Sequence, residues 1–115
     1  MQDKEKPATK KADHSKRTKD WLNERGFWAY RADYYDHLNK RQHDFFGIFD
    51  YVALPKKGGQ TVGVQLTSRE AMAARRKKIL ESPVYPYLGI CGWKVLLIGW
   101  WKNDSGHWEA KEEWL

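Results

Sequence analysis

Gly47-Ile48-Phe49-Asp50-Tyr51-Val52-Ala53-Leu54, followed after a Gly-rich turn by Val62-Gly63-Val64-Gln65-Leu66-Thr67-Ser68, is the stretch that decides the fold. Two apolar runs joined by Pro55-Lys56-Lys57-Gly58-Gly59 read as a strand over about 47–54, a hairpin turn and a strand over about 61–67. Each run holds one polar residue with a metal-capable oxygen, Asp50 or Gln65. A carboxylate inside a hydrophobic strand is costly unless it is paired, hydrogen-bonded or bound to a cation. Asp50 is therefore a functional candidate on physical grounds alone.

Upstream, Ser15 to Arg25 fits a short helix with Trp21 and Leu22 as its apolar side and Gly26 as its stop. Phe27 to Tyr30 reads as a first strand. Residues 32–44 are polar with scattered aromatics and no period, a loop long enough to be functional. Downstream, Thr67-Ser68-Arg69-Glu70 fits a capping box, with Thr67 as N-cap and Glu70 three residues on, opening a helix that runs to Leu80. Ser82-Pro83 ends that helix, and residues 83–92 read as a Pro/Gly/Tyr connection. Lys94 to Trp101 is apolar on both faces, as an interior strand is. After the turn Asn103–Gly106, His107 to Trp114 alternates as a half-buried final strand. The order α-β-β-β-α-β-β predicts an α/β fold, a mixed β-sheet flanked by helices.

A chain of 115 residues, 41% hydrophobic and with seven Trp, has material for one core, so residues 14–115 are expected to form one domain. Net charge is +6, of which residues 1–19 carry +4. Residues 1–13 are Lys-rich, hold Pro7 and lack apolar periodicity. They read as a disordered basic tail suited to phosphate contact. Cys91 is the lone cysteine, which excludes an intramolecular disulfide and a Cys-rich zinc site. No apolar run is long enough to span a bilayer, and the N-terminus has no apolar leader core. A cytoplasmic protein without a membrane partner is the expectation.

With an acid in the second strand and a polar motif in the third, the order of elements over residues 15–114 resembles the PD-(D/E)XK nuclease superfamily. Phe49-Asp50-Tyr51-Val52-Ala53 is similar to its first motif, with Phe49 in place of the Pro. Gln65-Leu66-Thr67 falls where the family has an acid, any residue, then Lys. Glu24 stands where many members carry a Glu on the first helix. Size and the basic helix after the third strand resemble the small resolvase-like members. Asp44-Phe45-Phe46-Gly47-Ile48-Phe49-Asp50, followed by Val64-Gln65-Leu66-Thr67-Ser68, is similar to phage-encoded nuclease-like sequences.

The resemblance implies a restriction-endonuclease-like core and Mg²⁺- or Mn²⁺-dependent hydrolysis of DNA phosphodiester bonds. It implies metal ligands from the Asp50 carboxylate, the Gln65 side-chain carbonyl, the Leu66 backbone carbonyl and Asp44, and catalytic roles for Asp50, Gln65, Thr67 and Glu24. Two departures stand out. Gln65 is neutral where an acid is usual, and Thr67 replaces the Lys that orients water or stabilises transition-state charge. Arg69, Arg75, Lys77 and Lys78 of the following helix are candidates to supply that charge. Together with Arg76, Lys16 and Arg17 they are also candidates for contact with the DNA backbone. His43 is a weaker candidate general base, and Tyr34 and Tyr35 are candidates for base stacking.

The leading expectation is a DNA endonuclease acting on branched or junction DNA. Alternatives are a nuclease-like protein that binds DNA without cutting, and a protein-interaction or inhibitor module using a Trp-rich surface. Cutting two strands needs two sites, so a homodimer is expected, with Trp100, Trp101, Trp108 and Trp114 as its surface.

Overall fold

The computed structural model of the chain describes the backbone of residues 6–115 and the side chains of residues 14–115. The apolar runs form one five-stranded mixed sheet from β1 (Phe27–Arg31), β4 (Tyr51–Pro55), β5 (Val62–Ser68), β6 (Lys94–Lys102) and β7 (Trp108–Trp114), in the order β1-β4-β5-β6-β7. A separate two-stranded sheet, β2 (Tyr34–Asp36) and β3 (Arg41–His43), lies between β1 and β4 in the chain. Strands β5 and β6 are parallel; every other neighbouring pair is antiparallel. The parallel pair is allowed by the long crossover between Ser68 and Lys94, which holds a 3₁₀ turn (Arg69–Ala71), α2 (Met72–Leu80) and α3 (Tyr85–Ile90).

Strand parity sorts the core into two layers. Val62, Val64 and Leu66 pack with Tyr51, Ala53, Leu96, Ile98 and Trp100 against Leu22 of α1 (Lys6–Glu24). On the opposite face Val95 and Leu97 pack with Ile48 and Phe49 against Met72 and Ile79 of α2 and Leu88 of α3. Two glycines allow close approach on that second face. A Cβ on Gly63 would stand 2.5 Å from Phe49 Cε2, and one on Gly99 would strike Met72. The result is the expected α/β arrangement, a mixed sheet flanked by helices.

Several expectations are corrected. Helix α1 begins at Lys6 rather than Ser15, so the stretch 6–13, read as a disordered tail, is helical; residues 1–5 lie outside the described residues. The loop over 32–44 contains the β2–β3 hairpin, paired through Tyr34↔His43 and Asp36↔Arg41. The connection over 83–92 contains α3, whose Leu88 is buried. The capping box does not form. Thr67 stays in the ladder opposite Gly99, Ser68 is the residue before the 3₁₀ turn, and it makes no side-chain cap. A residue held in a strand ladder is not free to turn back onto a helix N-terminus. Trp100 is buried and donates its Nε1–H to Thr18 Oγ1 at 2.9 Å, which removes it from the exposed aromatic surface expected on the last hairpin.

Arg76 is tied into the fold by a two-pronged ion pair, 2.6 and 2.7 Å, from α2 to Glu113 of β7. The Arg76 hydrogen bond holds the Glu113 carboxyl below its ordinary value. A lowered acid contributes stability above its unfolded value and loses it as pH falls through the folded one. Glu113→Gln is therefore expected to flatten the loss of thermal stability on acidification just below the usual glutamate range, read from melting curves at successive pH values.

Candidate metal centre

Asp50 lies one residue before β4 rather than inside the strand, where its backbone is locked on both sides. Its N–H donates to the Val64 carbonyl at 2.8 Å, and its carbonyl accepts from Ala32 N–H at 2.8 Å. The Leu66 N–H donates to Asp50 Oδ2 at 3.0 Å, so the carboxylate continues the β4–β5 ladder where the strands part. Asp50 is 1% exposed. The Leu66 amide and, at 3.4 Å, Gln65 Nε2 both donate to Oδ2 of this buried carboxylate.

Two further acids converge on it. Oxygens of Asp33, Asp44 and Asp50 all lie within 4.8 Å of one another. Asp33 follows β1, whose last residue Arg31 pairs with Tyr51 beside Asp50. Asp44 arrives from the far end of the β2–β3 hairpin. A tight turn brings the chain back from Asp44 to Asp50: Gly47 N–H donates to the Asp44 carbonyl, and Phe45 bridges to Phe49. Phe46 and Gly47 take positive φ angles of 58° and 71° there. For Phe46 this is a sparsely populated conformation, which persists where surrounding packing enforces it. The packing is aromatic, with Phe45, Phe46 and Phe49 all set around Trp93 at ring separations of about 6 Å.

Asp33 is oriented by two donors, Arg31 Nε at 2.6 Å and Gln42 Nε2 at 3.1 Å. The guanidinium of Arg31 is held above its ordinary value, first by the Asp33 hydrogen bond and also by the charges of Asp33 and Asp50. Arg31 thus brings one positive charge to three clustered carboxylates while half of its side chain remains exposed.

Gln65 completes the cluster. It is fully buried, on the same side of the sheet as Asp50 by strand parity. Its Nε2 stands 3.4 Å from Asp50 Oδ2, and its Oε1 has no hydrogen-bond partner. An orphaned buried carbonyl oxygen costs about 1–3 kcal/mol. Rotating the amide by half a turn exchanges Oε1 and Nε2, and the orphaned oxygen then faces Asp50 Oδ2. Two oxygens sharing an octahedral cation at about 2.1 Å stand about 3 Å apart, close to this separation. The donor set of three carboxylates and an amide carbonyl is all oxygen, which fits a hard divalent cation such as Mg²⁺ or Mn²⁺.

The other expected site residues distribute as follows. Leu66 meets the cluster through its N–H, while its side chain is in the α1-side core. Thr67 is nearly buried two residues beyond Gln65 on the same face. Glu24 is exposed at the end of α1, next to Phe27, which pairs with Pro55 at the far end of β4. The length of β4, about 13 Å, separates it from Asp50, so Glu24 is not brought to the site. Asp33, which the sequence reading did not single out, stands with Asp44 and Asp50 instead of Glu24. Asp33 follows the first strand at the Asp50 end, and its place just past that strand is the only feature of the sequence that could have pointed to it. Arg76 is occupied by Glu113, and Arg69 stacks on Trp101 at 4.1 Å. Lys77 and Lys78 line a groove with Phe46 and Gly47, beside the turn that follows Asp44; Arg75 is half-buried on the same helix. Lys16 pairs with Asp20 on the exposed side of α1, and Arg17 lies over Trp108. His43 stacks on Tyr34 with its Nε2 3.6 Å from Asp36, turned to the hairpin rather than to the acids.

Among the described residues, no helix is long and apolar enough to cross a membrane. No family model, curated protein or solved structure matches the chain.

Proposed function

We propose that this protein is a divalent-metal-dependent DNA endonuclease of the PD-(D/E)XK type with a restriction-endonuclease-like core, and that branched or junction DNA is its substrate class. The observation that carries the reading is the Asp33–Asp44–Asp50 cluster, with Asp33 and Asp50 buried, beside the fully buried Gln65, whose amide meets Asp50 and whose Oε1 lacks a partner. The order of elements and the position of Asp50 beside Gln65 agree with the sequence resemblance.

Asp50, Asp44, Asp33 and Gln65 would hold the cation, which supplies phosphate polarisation and a lowered pKa for a bound water. The protein's own residues do the positioning. The Leu66 amide fixes the Asp50 carboxylate, and the Phe45–Phe49 turn fixes Asp44. Arg31 takes over the electrostatic part of the missing Lys, its exposed N–H groups reaching a phosphate oxygen beside Asp33. Lys77 and Lys78 contact the DNA backbone along the groove next to the Asp44 turn. A homodimer would set two such centres on the two strands.

Cleavage of labelled single-stranded, duplex and four-way-junction DNA, with Mg²⁺, Mn²⁺ or EDTA, tests the reading. Metal-dependent cutting that is fastest on the junction is expected. Retarded migration of the same DNA without cutting would favour a binding protein instead, the reading that Thr67 in the Lys position supports.

Gln65→Glu restores the acid usual at this position. A fourth carboxylate in the cluster raises repulsion without metal and attraction with it. Melting temperature is expected to fall in EDTA, and its rise on adding Mn²⁺ to exceed that of the wild type. Equal rises for both proteins would remove Gln65 from the ligand set.

A further inference from the structure

A second concave site lies at the same end of the sheet, on the α1 side. It is a cavity of about 330 Å³ lined by Arg17, Glu70, Trp100, Trp101, Lys102 and Trp108, together with Ser68 and His14. We propose that it takes one unpaired nucleotide of a nucleic-acid strand, with the base against tryptophan and the phosphate on Arg17 and Lys102.

The walls are aromatic and cationic at once. Arg17 Cζ stands 4.1 Å from the Trp108 ring centre and 5.8 Å from that of Trp100, and Lys102 Nζ stands 5.4 Å from Trp108. Arg69 lies over Trp101 at 4.1 Å. The site is rigid at its base, because Trp100 is buried and tied to Thr18 of α1. It is open at its rim, where Trp108 is 41% exposed.

These features select the occupant. A tryptophan-lined cage suits cations, but here Arg17 and Lys102 already bring two positive charges to Trp108 and its surroundings. A second cation is repelled. A purely apolar ligand would take water from the Arg17 guanidinium without offering an acceptor. A simple anion would leave the aromatic surface unused. A nucleotide meets all three demands: a ring that stacks on Trp and Arg planes, a phosphate for the cations, and amino groups that donate to Glu70. The volume is at the lower end of the range for small-ligand sites and admits one nucleotide rather than a duplex. A base held in a cavity of this size has left the duplex stack and its pairing partner.

The position links this cavity to the acidic cluster. Ser68, which lines it, is three residues past Gln65 along β5, about 10 Å of strand, and pairs with Trp100. An unpaired nucleotide held there would tether a strand whose backbone passes the candidate metal centre. The inference rests on the reading that the ligand is nucleic acid, but it does not require that the protein cuts it.

The test is fluorescence anisotropy of a short labelled single-stranded oligonucleotide, and of the blunt duplex of the same sequence, with the full chain in EDTA. Trp108→Ala is expected to weaken single-strand binding about tenfold and leave duplex binding unchanged, since stacking of one base is worth about 1–3 kcal/mol. Trp108→Phe, which keeps a ring, is expected to restore most of the affinity, and Lys102→Ala to weaken it with a shallower salt dependence. Unchanged single-strand affinity in Trp108→Ala would overturn the proposal, as would an equal loss on both DNA forms. A free nucleoside monophosphate competing as well as the oligonucleotide would also overturn it, in favour of a free-nucleotide site. Junction cleavage by the wild-type protein with Mn²⁺, measured alongside, separates the two readings: a Trp108-dependent preference for the single strand without any cutting upholds this site while the nuclease reading fails.

Discussion

Asp50→Asn is expected to lower metal-dependent DNA cleavage by about 10³-fold, roughly 4 kcal/mol of barrier, while leaving a folded protein. The substitution is close to isosteric. Its carbonyl oxygen can still accept the Leu66 N–H that holds the side chain, and the backbone bonds to Val64 and Ala32 are untouched. What changes is charge. Three carboxylates with oxygens within 4.8 Å repel one another, and removing one relieves part of that repulsion. The melting temperature in EDTA should therefore equal or exceed that of the wild type. The same change removes the ligand around which the cluster is built, so added Mn²⁺ should no longer stabilise the protein. Loss of activity through unfolding would show the opposite sign in EDTA, a lowered melting temperature. Full activity in Asp50→Asn would mean that the acids are not the reactive centre.

The largest effect on stability is expected from Gly63→Ala, about 3 kcal/mol and roughly 10 °C or more in melting temperature. A methyl at Gly63 would stand 2.5 and 2.6 Å from Phe49 Cε2 and Cε1. The ring has nowhere to go, since Phe49 is fully buried and stacked on Trp93 at 5.9 Å with 7° between the planes. Phe49 is the residue before Asp50, so displacing it also moves the carboxylate. Gly63→Ala should thus weaken Mn²⁺ binding without altering any ligand, a coupling that a remote packing defect lacks. Denaturant unfolding and a Mn²⁺ titration of the same protein measure both effects. A stable Gly63→Ala protein with wild-type metal affinity would contradict the close approach of Phe49 to β5.

The main sheet was legible because its strands are apolar runs bounded by turn residues, and burial on both faces of β5 and β6 leaves few polar positions. Asp50 and Gln65 were legible for the same reason: each interrupts such a run. Asp33 was not. It lies in a polar segment, and its place in the cluster depends on Arg31, Gln42 and the return of the chain through the Asp44–Asp50 turn. No local periodicity encodes a meeting of three segments. The β2–β3 hairpin escaped for a related reason, since its strands are largely exposed and carry no alternation. Glu24 was placed by chain order, yet a helix is directional, and its C-terminal end lies at the opposite edge of β4 from the acids. Thr67 matched a capping pattern that the β5–β6 ladder overrode, because pairing opposite Gly99 fixes its backbone first.

The most direct measurement is a calorimetric titration of the 115-residue chain with Mn²⁺, alongside Asp50→Asn. One Mn²⁺ bound per chain in the wild type, and none in Asp50→Asn, is the expected result. Equal binding by the two proteins, or no binding by either, would contradict a cation site built from Asp33, Asp44, Asp50 and Gln65.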